Sequence, residues 1–257
     1  MMSLQALFVA AAAQGHAGGE RGSSAGEGSP EQVHLSLGGT PAQMTAMWVM
    51  QPDVPSRPSS SGAAVQYWEA AAGAASRISA GGSTDVFPVP VSWEANGGDF
   101  IRSNISRLLL VHKATMQGLR PRTRYGYRVG GNDTGWSSEF FFVSQPTLAS
   151  LREPAAPPVR VGWVGDMGDT NGRSFPQLEA EALAGNLDAL IHVGDIAYDL
   201  DTRADESLRL QQPVAGGVEA AAPPTGNTGL DGGKGDQYMR DFEDVAASLP
   251  YMVCPGK

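Results

Sequence analysis

Two short apolar segments, each followed directly by Gly-Asp, constrain the fold of this 257-residue chain more than any other feature. The first, VRVGWV at residues 159–164, leads into Asp166, and the second, DALIHV at residues 188–193, leads into Asp195. Near-continuous apolar runs of this length are typical of strands that are buried on both faces, as in a parallel sheet. The second half of the chain is therefore predicted to contain parallel strands.

Helical segments separate the predicted strands. Ser174 and Gln177 have the spacing of a capping box at the start of one helix, and Gly185 can end that helix. A second helix is predicted over residues 237–248 from apolar residues at three- and four-residue spacing, and the strand Tyr251–Cys254 follows it. The resulting order β-α-β-α-β is the layout of a parallel α/β sheet.

Two segments show no such periodicity. Residues 148–158 are rich in proline towards their end, and they are predicted to form a stiff linker. Residues 203–235 include AGGVEAAAPPTGNTGLDGG, and they are predicted to form a flexible surface loop. The α/β part is accordingly placed at residues 159–257, with this loop inserted into it.

The first half of the chain carries an all-β pattern. Short alternating strands separated by turn-rich breaks predict a β-sandwich over residues 31–147. Its strongest element is LRPRTRYGYRV, residues 119–129, whose spacing L-x-P-x-T-x-Y-x-Y-x-V resembles the E–F corner of fibronectin type III domains. In such corners a tyrosine hydroxyl bonds to nearby backbone. The closing strand of the sandwich is predicted at residues 139–144.

Composition limits the partners and the location of the protein. The formal net charge of −9 argues against nucleic acid and anionic membranes as main partners, because both require basic surface. No stretch reaches the roughly 20 apolar residues of a membrane span. Residues 1–30 are a predicted leader, in which LQALFVAAAA at residues 4–13 resembles a signal-peptide core. Together with N-glycosylation sequons at Asn104 and Asn132, the leader predicts a secreted glycoprotein, extracellular or vacuolar.

The chemistry of the chain is predicted to lie at the ends of its parallel strands. Ligands of α/β sheets bind in the crevice beyond the carboxyl ends of the strands, so Asp166 and Asp195 should enter the same crevice. Clustered carboxylates suit hard cations, and the phenolate of Tyr198, three residues after Asp195, suits ferric iron. One carboxylate can bridge two metal ions, as in the two-metal sites that hydrolyse phosphoryl groups.

Three stretches, VGWVGDMGDTN, HVGDIAYDLD and GDQYMRDFEDVAASLPYMVCPG, resemble the purple acid phosphatases, especially the animal-type iron/zinc group. The resemblance implies a fibronectin type III-like β-sandwich followed by the N-terminal part of a metallophosphoesterase (calcineurin-like) α/β domain. It implies that Asp166 binds ferric iron, that Asp195 bridges this ion to a divalent zinc, iron or manganese ion, and that Tyr198 binds the ferric ion. The implied reaction is the hydrolysis of phosphate monoesters at acid pH.

The later motifs of the family limit what is expected of this chain. The family continues with G-N-H-E or G-N-H-D after the third strand, whereas Lys257 follows Gly256 here, and the histidine motifs V-x-x-H and G-H-x-H are absent from the sequence. Because the family's catalytic histidines are missing, no catalytic residue is assigned. We expect no stably bound dinuclear centre and an inactive or incomplete fragment of a phosphatase. His192 is expected in the core rather than at the metal, and Cys254 as a plain strand residue.

Two alternatives stay open at this point. One is a non-catalytic, fibronectin-like interaction module with a vestigial phosphoesterase half. The other is a different metallophosphoesterase, such as a phosphodiesterase. Gly168, which replaces the histidine of the general D-x-H pattern, and Tyr198 both argue against the phosphodiesterase.

Overall fold

The structure is a computed structural model, and it describes residues 29–51, 63–90, 93–96, 99–102, 105–167, 174–196, 200 and 232–254. The predicted signal segment, the sequon residue Asn104 and most of the predicted loop at 203–235 lie outside these described residues. Within the described part of the chain, no helix has the length and apolar character needed to cross a membrane.

The first part of the chain is built from antiparallel strands. They are β1 (Glu31–Leu37), β2 (Met44–Met50), β3 (Ala64–Glu69), β4 (Ile78–Pro90), β5 (Trp93–Asn96), β6 (Asp99–Arg102), β7 (Ile105–Met116), β8 (Arg124–Gly131), β9 (Gly135–Trp136) and β10 (Phe140–Val143). Eight of them form one sheet in the order β1-β2-β7-β4-β3-β8-β10, with β9 on β8, and β5 pairs with β6. The long strand β4 joins the halves of this sheet, since its start pairs with β3 and the rest with β7.

The two halves of the sheet enclose a common core. Val33 and Trp48 come from one half and Val65, Tyr127 and Phe142 from the other, and each is at most 2% exposed. These side chains alternate with more exposed neighbours along their strands, as expected where one face of a strand is buried. The predicted β-sandwich is confirmed.

The corner before β8 contains the predicted tyrosine bond. The backbone N–H of Arg120 donates to Oη of Tyr125 at 2.9 Å, five residues along the chain. Ser144 closes the corner from the other side, because its N–H donates to the Thr123 carbonyl and its hydroxyl accepts from the Thr123 N–H, both at 3.0 Å. The spacing of the tyrosines therefore predicted this corner correctly.

The second part of the chain is a parallel α/β unit. Its strands β11 (Val161–Val164), β12 (Ala189–Val193) and β13 (Tyr251–Cys254) lie in the order β11-β12-β13, all parallel. Helix α2 (Phe175–Leu183) connects β11 to β12, and α3 (Gly233–Asp241) and α4 (Glu243–Ala246) precede β13. One face of the sheet packs on these helices through a core that includes Leu190, Phe242, Val245 and Tyr251. The predicted order β-α-β-α-β is confirmed.

Several local predictions need correction. Ser174 does cap α2, but its backbone is already helical, with φ −86° and ψ −10°, and its side chain makes no capping bond, so the predicted capping box is wrong. The helix predicted over 237–248 is broken into α3 and α4 at Phe242. A short helix, α1 (Leu148–Leu151), opens the segment predicted as a linker, because Thr147 and Ser150 form a capping box there. Gly185, with φ +70°, ends α2 as predicted.

The sandwich and the α/β part pack directly against each other. The Tyr127 hydroxyl donates to the Ala247 carbonyl at 2.8 Å, and Ala247 is a member of the sandwich core. Leu35 of β1 forms a parallel bridge with Pro250, at the entry to β13. Arg122 lies 3.6 Å from the carboxylate of Asp188, just before β12. The parallel sheet is therefore held against the sandwich from several sides.

Candidate metal centre

The sheet register brings Asp166 and Asp195 to the same edge. Strands β11 and β12 are parallel neighbours, with Val164 opposite His192, so both strands end on the same side. The turns that follow also touch, because the N–H of Asp166 donates to the carbonyl of Gly194 at 3.4 Å. Adjacent strands lie about 4.8 Å apart. The two aspartates thus occupy neighbouring turns beyond the carboxyl ends of two adjacent strands.

Both aspartates have a backbone conformation that is uncommon for residues other than glycine. Their φ angles are +51° for Asp166 and +45° for Asp195, in the left-handed region. Asn and Asp tolerate this region better than most residues, since their short polar side chains can bond locally. Such conformations cost on the order of 1–3 kcal/mol each and cluster at functional sites. The same strained turn therefore follows two successive strands, which links the two residues structurally as well as in sequence.

The glycines before the aspartates allow the close approach of the two turns. A Cβ atom added to Gly165 would lie 3.1 Å from the side chain of Val193, tighter than an ordinary contact. Gly194 has φ +81°, so it also adopts a conformation that favours glycine. The repeated Gly-Asp pairs thus have a physical explanation, in which the glycine shapes the turn and the aspartate presents a carboxylate.

A buried polar chain joins β12, β13 and α3. Nδ1 of His192 and Oη of Tyr251 are 2.7 Å apart, and Oη of Tyr251 is 3.2 Å from Oη of Tyr238 on α3. His192 is completely buried, and this burial lowers the pKa of its imidazole below the ordinary value. His192 is therefore a neutral core residue, as predicted. The sequence pattern did not reveal the two tyrosines as polar partners, because both also fit apolar positions of a helix and a strand.

The remaining residues of the predicted site lie outside the described residues. These are Tyr198, Gly168, Gly256 and Lys257. In the part of the chain that the structure describes, no group of three or more histidine, cysteine, aspartate or glutamate side chains is placed to hold a metal ion. The described residues thus offer the pair Asp166 and Asp195, whose hard carboxylate oxygens fit a hard cation such as ferric iron.

Comparison with known proteins identifies the family. Residues 30–144 match the family model for the purple acid phosphatase N-terminal domain. Acid phosphatase type 7 of Homo sapiens is 32% identical over 229 residues, which make up 89% of this chain and 40% of that protein. Its counterpart from Danio rerio is 28% identical, over 88% of this chain and 39% of the relative. Residues 30–144 belong to the purple acid phosphatase N-terminal domain family, and the chain is similar to acid phosphatases over most of its length.

A solved structure agrees with this assignment at the level of the fold. A purple acid phosphatase from yellow lupin (Lupinus luteus) seeds superposes with a TM-score of 0.58 at 18% identity, covering 89% of this chain and 35% of that one. The β-sandwich and the parallel sheet thus have the arrangement of a purple acid phosphatase. The chain spans about two fifths of the length of the curated relatives that it matches.

Proposed function

We propose that this chain provides ligands for a dinuclear metal centre that hydrolyses phosphate monoesters. The observation that carries the proposal is the pair of strained Gly-Asp turns, which lie side by side beyond the carboxyl ends of β11 and β12. In ordinary surface turns nothing offsets the free-energy cost of holding an aspartate at positive φ. A metal centre that requires two fixed carboxylates gives a reason for this conformation after two successive strands.

The residue roles in this proposal follow the family. Asp166 would bind a ferric ion, Asp195 would bridge the ferric ion and a divalent zinc, iron or manganese ion, and Tyr198 would complete the ferric side. When bound, such a pair of ions supplies a hydroxide nucleophile at acid pH and neutralises charge on the phosphoryl oxygens. Relatives carry the name acid phosphatase, in line with this reaction class.

The protein's own contribution is to hold the carboxylates in place before a metal arrives. The turns are anchored on β11 and β12, and the bond between the Asp166 N–H and the Gly194 carbonyl ties one turn to the other. The bond between His192 and Tyr251 also joins β12 to β13 within the buried layer. Ligands supported in this way lose little conformational freedom when they bind a metal.

The proposal extends to location. An enzyme of this type would be secreted or vacuolar and glycosylated, with Asn104 and Asn132 as acceptors. Asn132 is exposed in the turn between β8 and β9. Its substrate would be a phosphate monoester rather than nucleic acid.

Metal titration of the purified chain tests the assignment of ligands. Ferric iron would be added to the wild type and to Asp195→Asn, Asp166→Asn and Tyr198→Phe, and binding followed by calorimetry and by the tyrosinate-to-iron absorption band. Because the described residues provide two carboxylates, we expect weak binding, reduced at least tenfold by either aspartate variant. Tyr198→Phe should remove the absorption band.

Asp85→Asn is the matched control, since Asp85 is an exposed aspartate on β4 of the sandwich. It should bind iron like the wild type. If Asp166→Asn and Asp195→Asn also bind like the wild type, the ligand assignment is wrong. The non-catalytic interaction module would then be the favoured function.

A further inference from the structure

Strand β10 lies at an open edge of the sandwich sheet. It is the last strand in the sheet order, and among the described residues it pairs with β8 alone. Opposed residues of an antiparallel pair alternate between hydrogen-bonded and non-hydrogen-bonded positions. Because the Ser144 N–H donates to the Thr123 carbonyl at 3.0 Å, Phe142 two residues earlier also occupies a bonded position. The peptide N–H and C=O groups of Phe141 and Val143 therefore point away from β8, towards the open edge.

A cleft of about 540 Å³ lies beside this edge, between the sandwich and the α/β part. Its volume and its position at an interface between two folded parts are both typical of ligand sites. One wall comes from β10, and the other comes from the end of α2, the loop after it and α4. We call it the β10 cleft and define it by Phe141, Val143, Leu183, Leu187, Asp188 and Asp244.

Both walls of the β10 cleft expose apolar side chains. Phe141 and Val143 alternate with Phe142, which is buried in the sandwich core, so they lie on the outer face of the sheet. Leu183 near the end of α2 is 59% exposed on the opposite wall. An occupant of the cleft would thus bury apolar surface on two sides while its backbone meets the open edge of β10.

The charges around the β10 cleft favour a cationic occupant. Three carboxylates line it, those of Glu139, Asp188 and Asp244, whereas the one lining cation is Arg124, whose guanidinium lies over the Phe141 ring at 5.0 Å. Arginines at 3.6 Å and 3.9 Å partly offset Asp188 and Glu139. Helix α2 also ends in the cleft, and its last carbonyl groups add partial negative charge. A second copy of this chain, with a net charge of −9, is disfavoured there by repulsion.

We propose that the β10 cleft binds an extended peptide segment in which apolar residues alternate with lysine or arginine, and that this segment adds a strand to β10. In this mode main-chain hydrogen bonds provide affinity, and alternate side chains provide specificity. Successive side chains of a strand point to opposite faces, so alternation lets apolar groups meet the exposed apolar walls while basic groups reach the carboxylates. The inference is independent of the proposed metal chemistry, because it concerns a different surface of the metal-free chain.

Binding of a defined peptide to the full chain tests the proposal. The probe is a fluorescein-labelled hexapeptide of alternating valine and lysine, followed by fluorescence anisotropy, and the comparison peptide has glutamate in place of lysine. We expect saturable binding of the lysine peptide and at least about tenfold weaker binding of the glutamate peptide, because like charges would face each other.

Variants of one exposed leucine locate the binding to the cleft. Leu183→Lys should weaken binding of the lysine peptide by about tenfold, and Leu183→Glu should bind it more tightly than Leu183→Lys does. Leu148→Lys is the matched control, since Leu148 on α1 is 74% exposed and does not line the cleft. It should bind the peptide like the wild type.

Hydrogen exchange followed by NMR tests the added strand directly. In the free chain the N–H groups of Phe141 and Val143 should exchange faster than that of Phe142, and the bound lysine peptide should slow them to a similar rate. The proposal is overturned if the two peptides bind alike, if Leu183→Lys binds like Leu148→Lys, or if exchange at Phe141 and Val143 does not change. A chain that sediments as a dimer, with both N–H groups protected before peptide is added, would make a second copy the occupant and also overturn it.

Discussion

Replacement of Tyr127 by phenylalanine should measure how tightly the sandwich holds the α/β part. The Tyr127 ring is completely buried in the sandwich core, and its hydroxyl donates to the Ala247 carbonyl at 2.8 Å. Ala247, just after α4, is also completely buried. Tyr127→Phe removes the hydroxyl and keeps the ring, so the packing stays while the Ala247 carbonyl loses this donor inside the interface.

The magnitude follows from that geometry. A buried acceptor that loses its donor lowers the free energy of unfolding by about 1–3 kcal/mol. The Ala247 carbonyl is such an acceptor, since Ala247 is completely buried. Taking about 2 kcal/mol, and a decrease in Tm of roughly 2–4 °C per kcal/mol for a folded unit of this size, we expect Tm to fall by about 4–8 °C. Thermal unfolding followed by circular dichroism measures this change.

A second variant separates an interface effect from a general loss of stability. The Tyr67 hydroxyl donates to the Gln117 carbonyl at 2.9 Å and accepts from the Gln117 N–H at 3.2 Å within the sandwich, so Tyr67→Phe removes a bonded hydroxyl away from the interface. Hydrogen exchange should become faster over residues 243–250 in Tyr127→Phe and stay unchanged there in Tyr67→Phe. The reasoning is refuted if Tyr127→Phe lowers Tm by less than about 1 °C, or if both variants affect residues 243–250 equally.

Three further predictions concern the core, the exposed sheet face and the dependence of stability on pH. Phe242→Ala should cost about 3–5 kcal/mol in urea unfolding, because Phe242 is completely buried among aromatic rings of the α/β core; a cost below 1 kcal/mol would contradict this packing. Trp163→Gln should reduce aggregation in light scattering with Tm nearly unchanged, since Trp163 is 66% exposed on β11; a large drop in Tm would show that the ring is buried. Burial lowers the pKa of His112 to about 4, so its contribution to stability is present above pH 6.5 and is lost as the pH falls towards 4. Relative to His112→Asn, the wild type should therefore lose stability in acid, and parallel profiles would exclude this role.

Local sequence patterns predicted the strands and the tyrosine corner because both depend on nearby residues. The alternation of Tyr125 and Tyr127 fixes one face of β8, and the bond from the Arg120 N–H to Tyr125 spans only five residues. The break at Phe242 and the helical start at Ser174 depend on tertiary packing, so propensity could not reveal them. Contacts such as Tyr127 with Ala247, 120 residues apart, have no local signature at all.

The candidate site was predictable to a similar extent. The rule that parallel strands end at one edge was enough to place Asp166 and Asp195 together, and the structure places them there. The sequence could not reveal that both would adopt positive φ, because aspartate usually adopts negative φ. Nor could it reveal the contact between the hydroxyls of Tyr238 and Tyr251, since both residues also satisfy an apolar pattern. The role of the two carboxylates as metal ligands stays a prediction.

The strain at the two aspartates gives the sandwich a role in supporting the candidate site. Two residues at positive φ together cost on the order of 2–6 kcal/mol, and the surrounding structure must exceed this cost to hold them. Among the described residues, the α/β part has three strands and three helices, and several of its apolar side chains, such as Trp163 and Val193, are exposed. The contacts of the sandwich with Ala247, Pro250 and the helices α3 and α4 add the missing support. Variants that weaken this interface should therefore relax the Asp166 and Asp195 turns before they unfold the sandwich.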